Sequence, residues 1–190
     1  MIKQPPYLKK GDKIAIVCPA KKLPKPIDYA IALLQSWGLE VVIGKSVYAE
    51  SHQFAGTDEL RTADIQQFLD DKEIKAIIAG RGGYGSIRII DNLDFSVFEK
   101  SPKWIIGFSD ITVLLCHVFA QYQIQSMHAQ MPYTFEEATP ESMLSLKKAI
   151  FGEQQTYKYE SSFPNRIGER KGEIIGGNLT LLCFLAGSAS

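Results

Sequence analysis

Lys103-Trp104-Ile105-Ile106-Gly107-Phe108-Ser109-Asp110-Ile111-Thr112 decides the fold. Its first part is an apolar run of strand type that ends at a glycine. A serine follows, and an apolar, helix-compatible segment begins at once. A serine between the carboxyl end of a strand and the amino end of a helix is where an α/β protein displays a nucleophile, beside the first helical N–H groups. The stretch Gly80-Arg81-Gly82-Gly83-Tyr84-Gly85-Ser86 also follows an apolar strand-like run. Parallel strands would bring both loops to one edge of a sheet.

Working outward, Asp12 to Cys18 reads as a first strand stopped by Pro19, and Val41-Val42-Ile43 as a second. Ala76-Ile77-Ile78-Ala79 is uniformly apolar, as expected of a strand covered on both faces. Trp104-Ile105-Ile106 is the fourth strand, and Ile124 to Met127 leads as a fifth to His128. Between them, Ile27, Ala30, Ile31 and Leu34 recur at helical spacing up to Trp37-Gly38. Thr57-Asp58-Glu59 starts a helix with a capping hydroxyl and acids in its first turn, which directs Leu60, Ala63, Ile65, Phe68 and Leu69 inward. Short helical stretches are expected near Ile87 to Ile90 and Asp94 to Glu99, and a longer helix over Ile111 to Tyr122. Pro140 to Phe151 closes the unit, with Met143, Leu144, Leu146 and Ile150 as its apolar members. The alternation predicts an α/β fold with a doubly wound parallel sheet.

The character changes after Gly152. Residues 1–152 are expected to form the nucleophile-bearing domain, 153–173 a linker or edge strands, and 174–190 the beginning of an incomplete second domain. The apolar segment 174–190 lacks a visible partner, which predicts self-association as a homodimer or aggregate.

At 45% hydrophobic residues the chain buries a real core, which argues against disorder. Lys+Arg and Asp+Glu are equal at 21 each, so no overall field draws in nucleic acid or an anionic membrane. No apolar run is long enough to cross a bilayer, and Met1 to Gly11 does not have the order of a signal peptide. Cys18, Cys116 and Cys183 each lie in an apolar run and read as reduced core thiols, which points to the cytoplasm.

Ser109 reads either as a nucleophile or as a helix N-cap, because Ile111 stands where the usual G-x-S-x-G elbow has its second glycine. A serine nucleophile needs a base. His117 lies eight residues along the same helix, roughly 12 Å of rise away, and is out of reach. His128, at the end of the next strand, lies on the right edge of the sheet, and His52 sits in a loop. Three isolated histidines without paired carboxylates predict no metal site, and nothing implies a cofactor. Gly82-Gly83-Tyr84-Gly85 reads as a plain turn, as a phosphate cradle without the P-loop ending, or as part of an oxyanion hole formed by Gly83 N–H and Asp110 N–H. Arg81 is a candidate partner for a substrate carboxylate.

Taken together, these residues resemble the LD-carboxypeptidase family of serine peptidases, of the muramoyl-tetrapeptide carboxypeptidase and microcin-immunity type. The resemblance rests on Leu8 to Ala20, Ala79 to Gly85, Ile106 to Thr112, Met127-His128 and Gly176-Gly177-Asn178-Leu179, in that order. It implies a flavodoxin-like domain, Ser109 as nucleophile, and the amides of Gly83 and Asp110 as oxyanion hole. Arg81, Gly82, Tyr84 and His128 would bind substrate, with His128 lining the pocket and standing outside the triad. The implied substrate is a small murein tetrapeptide, hydrolysed at the bond from an L-centre to a terminal D-amino acid. The family's catalytic Glu and His follow the Gly-Gly-Asn-Leu segment, so this chain is expected to carry the nucleophile half and to be inactive alone. The alternatives are a non-catalytic module that binds peptide or phosphate, and cleavage of a peptide–nucleotide conjugate.

Overall fold

The computed structural model describes residues 2–158, 160–166, 168–188 and 190. Among the described residues, five strands form one sheet: β1 (Lys13–Val17), β2 (Glu40–Ile43), β3 (Ile74–Ala79), β4 (Trp104–Gly107) and β5 (Met127–His128). Their order is β2-β1-β3-β4-β5 and every pairing is parallel. This is the flavodoxin-like order, in which the chain reverses direction across the sheet between β1 and β3.

The helices are α1 (Asp28–Ser36), α2 (Asp58–Asp70), α3 (Ser96–Lys100), α4 (Thr112–Tyr122), α5 (Pro140–Ile150) and α6 (Leu179–Leu185). They cover both faces of the sheet. Ala15, Val17, Ile77 and Ile105 face a core shared with α2, α3 and α4, while Ile14, Ile16, Ile78 and Ile106 face one shared with α1 and α5. Alternate residues of one strand thus go to opposite cores, which explains why β3 is apolar from Ala76 to Ala79, after the exposed Lys75. Each fully buried isoleucine stabilises the fold by about 1.5–3 kcal/mol.

The expected cap at Thr57 is present: its Oγ1 accepts the Leu60 N–H at 3.2 Å. The structure adds a second, in which Thr139 Oγ1 accepts the Ser142 N–H at 3.2 Å.

Several expectations need correction. Ala63 is exposed, and the inward face of α2 includes Arg61 and Asp64 beside Ile65, Phe68 and Leu69. These polar residues are buried because they hold loops. Asp64 accepts the Lys45 and Ser46 N–H groups at 2.8 and 2.9 Å, and also bonds the Ser46 hydroxyl. Leu144 is half-exposed, because Met143, Leu146 and Ile150 alone occupy the sheet side of α5. Cys183 is exposed on the outer side of α6, whereas Cys18 is buried. Burial pushes the Cys18 thiol up to about 12, so it stays protonated. The fifth strand starts at Met127, after Ile124 has made a single bridge to Lys3. Among the described residues of 153–173 there is no strand.

The Gly-Gly-Asn segment docks on the amino end of α4. Asn178 N–H donates to Thr112 Oγ1 at 3.0 Å, and a Cβ at Gly177 would come within 2.5 Å of the Thr112 side chain. Leu185 of α6 joins the core that contains α4.

Candidate active site

The carboxyl ends of β1, β3 and β4 carry the loops that build the site. Ile78 pairs with both Ile16 and Ile106, so the loops at Cys18, Gly80 and Phe108 leave the sheet at one level. Gly107 pairs with His128, which places that histidine beside the strand end that precedes Ser109.

Ser109 has φ +59°, a left-handed conformation that an L-residue with a side chain seldom adopts. Phe108 before it is fully extended, and a 3-10 turn, Ser109–Ile111, leads directly into α4. The chain therefore turns sharply at the serine, as in a nucleophile elbow. Ile111 fits where the common pattern has glycine because it folds back over Gly107. A Cβ at Gly107 would lie 2.9 Å from the Ile111 side chain. The small residue is needed at Gly107, and the buried isoleucine closes the elbow from below. The Ser109 side chain is partly exposed, and its hydroxyl has no hydrogen-bond partner among the described residues.

The glycine loop lies against this elbow. A Cβ at Gly82 would stand 3.3 Å from Ser109 Cβ and 3.3 Å from the Phe108 carbonyl oxygen. Gly83 has φ +118° and Gly85 φ +143°, conformations open to glycine. The carboxylate of Asp110 links the two loops by accepting the Ser86 N–H at 2.9 Å. Asp110 is buried, and its Oδ1 and the Ser86 hydroxyl lack partners among the described residues.

Arg61, which sequence reasoning missed, braces the same loop from α2. Its side chain is fully buried. Nη1 donates to Pro19 O at 2.5 Å and to Gly85 O at 3.1 Å, and Nη2 pairs with Asp58. A Cβ at Gly85 would lie 2.7 Å from Nη1, so the loop approaches this closely only with glycine there. Arg88 binds the same carboxylate through Nη2 at 2.6 Å and Nε at 3.0 Å. Arg88, assisted by Arg61, holds the Asp58 carboxyl below its ordinary range. The available signal was positional: Arg61 and Asp64 recur at helical spacing with Ile65 and Phe68, on a face that should be apolar.

The remaining candidates take distinct places. Arg81 Nη1 donates to Lys22 O at 2.7 Å, and its guanidinium lies 5.0 Å from the Tyr133 ring centre. Tyr84 is about half-exposed and its ring is 6.2 Å from that of Phe54. His128 is exposed, with its ring 6.2 Å from Phe108. His117 bonds Ser190 Oγ at 2.8 Å and packs on Phe95, and burial lowers its pKa. It sits away from Ser109, as the axial rise predicts. Among the described residues there is no cluster of His, Cys, Asp and Glu that could hold a metal, and no helix long and apolar enough to cross a membrane.

A flavodoxin-ordered parallel sheet with a strained serine at one strand end and a glycine loop against it defines a class of α/β domain with a displayed hydroxyl. Comparison with known sequences specifies the class further: residues 14–129 match the LD-carboxypeptidase N-terminal domain, and the chain belongs to the LD-carboxypeptidase family. A Bacillus subtilis protein named "Probable murein peptide carboxypeptidase" is 34% identical over 97% of this chain and 60% of its own length. The crystal structure of muramoyltetrapeptide carboxypeptidase from Oxalobacter formigenes is 29% identical, with a TM-score of 0.82 over 93% of this chain and 60% of that one. The microcin C7 self-immunity protein in complex with aspartyl sulfamoyl adenosine shares the fold at 23% identity and a TM-score of 0.82, over 96% of this chain and 65% of that one. The chain thus spans less than two thirds of each of these relatives.

Proposed function

We propose that Ser109 is the nucleophile of a carboxypeptidase that removes a terminal D-amino acid from a murein tetrapeptide, in cytoplasmic recycling of cell-wall peptides. The observation that carries this reading is the conformation of Ser109 at φ +59°, with the Gly82 backbone packed against its Cβ. A strained non-glycine residue at a strand end, beside a loop of left-handed glycines, is a costly arrangement, of order 1–3 kcal/mol, and such strain concentrates at functional sites.

In the proposed reaction, Ser109 Oγ attacks the scissile carbonyl carbon and its proton passes to a base. The carbonyl oxygen becomes an oxyanion, held by the N–H groups of Gly83 and Asp110. Collapse breaks the C–N bond; the leaving amine takes a proton and departs as the free D-amino acid. Water then hydrolyses the acyl ester and restores the serine. By the family resemblance, the base pair is a glutamate and a histidine that follow the Gly176-Gly177-Asn178-Leu179 segment. Gly82 and Tyr84 form the wall of the site, Arg81 and His128 flank it, and neither metal nor cofactor takes part.

The test is to incubate the full-length protein with an L,D-tetrapeptide and follow release of D-alanine. Ser109→Ala is expected to lower kcat by at least about a thousandfold. Undiminished release would remove Ser109 from this role.

A second reading, a binding module without turnover, draws on the Ser109 hydroxyl having no basic partner among the described residues. Titration of the 190-residue chain with tetrapeptide and with a nucleotide separates the two. Tight nucleotide binding would favour the glycine loop as a phosphate site, and cleavage of a peptide–nucleotide conjugate would shift the proposed substrate.

A further inference from the structure

A carboxypeptidase must recognise a free terminal carboxylate, and in a crevice this takes a cation whose donors are not already engaged. Most cations around the glycine loop already have a partner in the fold. Arg61 is held by Pro19 O, Gly85 O and Asp58. Arg88 is held by Asp58, and Arg81 by Lys22 O and the Tyr133 ring. The Lys22 ammonium pairs with Glu50 at 2.6 Å. Lys21 differs: its ammonium makes no hydrogen bond or ion pair among the described residues.

Its position is fixed nonetheless. Lys21 leaves the end of β1, beside the point where the sheet order reverses and where open α/β sheets take their ligands. Its backbone bridges Phe54, and the next residue donates its N–H to Gln53 O at 3.1 Å. Its stem lies against Gly83. A Cβ built at that glycine would meet Lys21 Cδ at 2.7 Å and Cγ at 2.8 Å. The side chain therefore occupies the space that a residue other than glycine would fill, and its charge begins just past Cδ.

We propose that Lys21 binds the terminal carboxylate of the substrate. This rests on the reading of Ser109 and Gly83 given above. In the peptide, the carboxylate of the leaving residue is separated from the scissile carbonyl by only the amide nitrogen and one α-carbon. In the protein, the Lys21 ammonium is separated from the methylene touching Gly83 by only Cε. A carbonyl oxygen at the Gly83 N–H would thus bring the terminal carboxylate within the sweep of Lys21. The same arrangement makes Lys21 a determinant of exopeptidase specificity, since a chain that continues past the scissile bond offers no charge there.

The test uses Lys21→Met, which keeps an apolar stem over Gly83 and removes the ammonium. In the full-length protein, KM for the tetrapeptide is expected to rise about tenfold or more with kcat little changed, and Lys21→Arg to recover most of the loss. Binding without turnover is read by calorimetry in the Ser109→Ala background, with the tetrapeptide acid and its carboxyl-terminal amide as probes. The preference for the acid is expected to vanish with Lys21→Met; Lys21→Gln serves the same purpose should the methionine variant fold poorly by circular dichroism. An unchanged acid preference, or one lost in Arg81→Met instead, overturns the assignment while Ser109-dependent release of D-alanine still stands. A Lys21-dependent preference without any D-alanine release keeps the carboxylate site and removes the peptidase reading.

Discussion

Asp110 reaches back from the serine turn and accepts the backbone N–H of Ser86 at 2.9 Å, so that one carboxylate ties the elbow to the end of the glycine loop. Both residues are buried, and water cannot readily replace either partner. Asp110→Ala is expected to cost about 1–3 kcal/mol by leaving the Ser86 N–H unsatisfied, and Asp110→Asn distinctly less, because its amide oxygen can still accept. Urea unfolding of the two variants checks this, and equal midpoints would contradict it.

Strain at Ser109 gives a prediction that runs against activity. A left-handed residue other than glycine costs roughly 1–2 kcal/mol, whereas glycine loses only about 0.5–1 kcal/mol of additional chain entropy on folding. Ser109→Gly is therefore expected to unfold at a higher urea concentration than Ser109→Ala, although both lack the hydroxyl. A lower midpoint for the glycine variant would show that the turn is not strained.

Lys103 gives the chain a stability signature at alkaline pH. Its side chain is buried, with Nζ donating to Phe68 O at 2.7 Å and Asp71 O at 2.5 Å at the end of α2. Burial pushes its ammonium down to about 8 from 10.5. Between those values the unfolded chain binds this proton more tightly than the folded one, so stability rises with pH across the window. Below it both states carry the charge and the cost of burying it is undiminished. The melting temperature of the parent, taken relative to Lys103→Met, is expected to increase from about pH 7 to about pH 10. A flat difference would mean that the ammonium is better solvated than its burial implies.

The segment at the carboxyl end exposes Ile174, Ile175, Leu179 and Phe184, each at least two-thirds accessible. Such side chains in close succession favour self-association. The 190-residue chain is expected to form dimers or larger species in light scattering, and Ile175→Ser with Phe184→Ser to shift it toward monomer. A monomer across a wide range of concentration would contradict this.

Strand identity was legible because β4 and the Ala76 to Ala79 part of β3 are buried on both faces and read as unbroken apolar runs. The Thr57 cap and the stop at Gly38 were legible because a hydroxyl or a glycine acts through its nearest backbone neighbours. Local patterns failed where a residue's partner is remote in sequence. Ala63 is apolar by composition yet exposed, and Arg61 and Asp64 occupy the inward face of α2 because loops after β1, β2 and β3 require their hydrogen bonds. Leu144 and Cys183 were misassigned for the related reason that apolar character alone does not say which side of a helix meets the sheet.

The amino-acid order by itself determined the parallel α/β plan and the presence of a serine at a strand-to-helix junction, since both follow from periodicity and near-neighbour chemistry. Only the tertiary structure decided which charges around the glycine loop are paired and that the Lys21 ammonium, among the described residues, has no partner. Ion pairing and close packing depend on chain segments tens of residues apart, such as Asp58 with Arg88 or Lys21 with Gly83, and those distances exist only once the sheet has assembled.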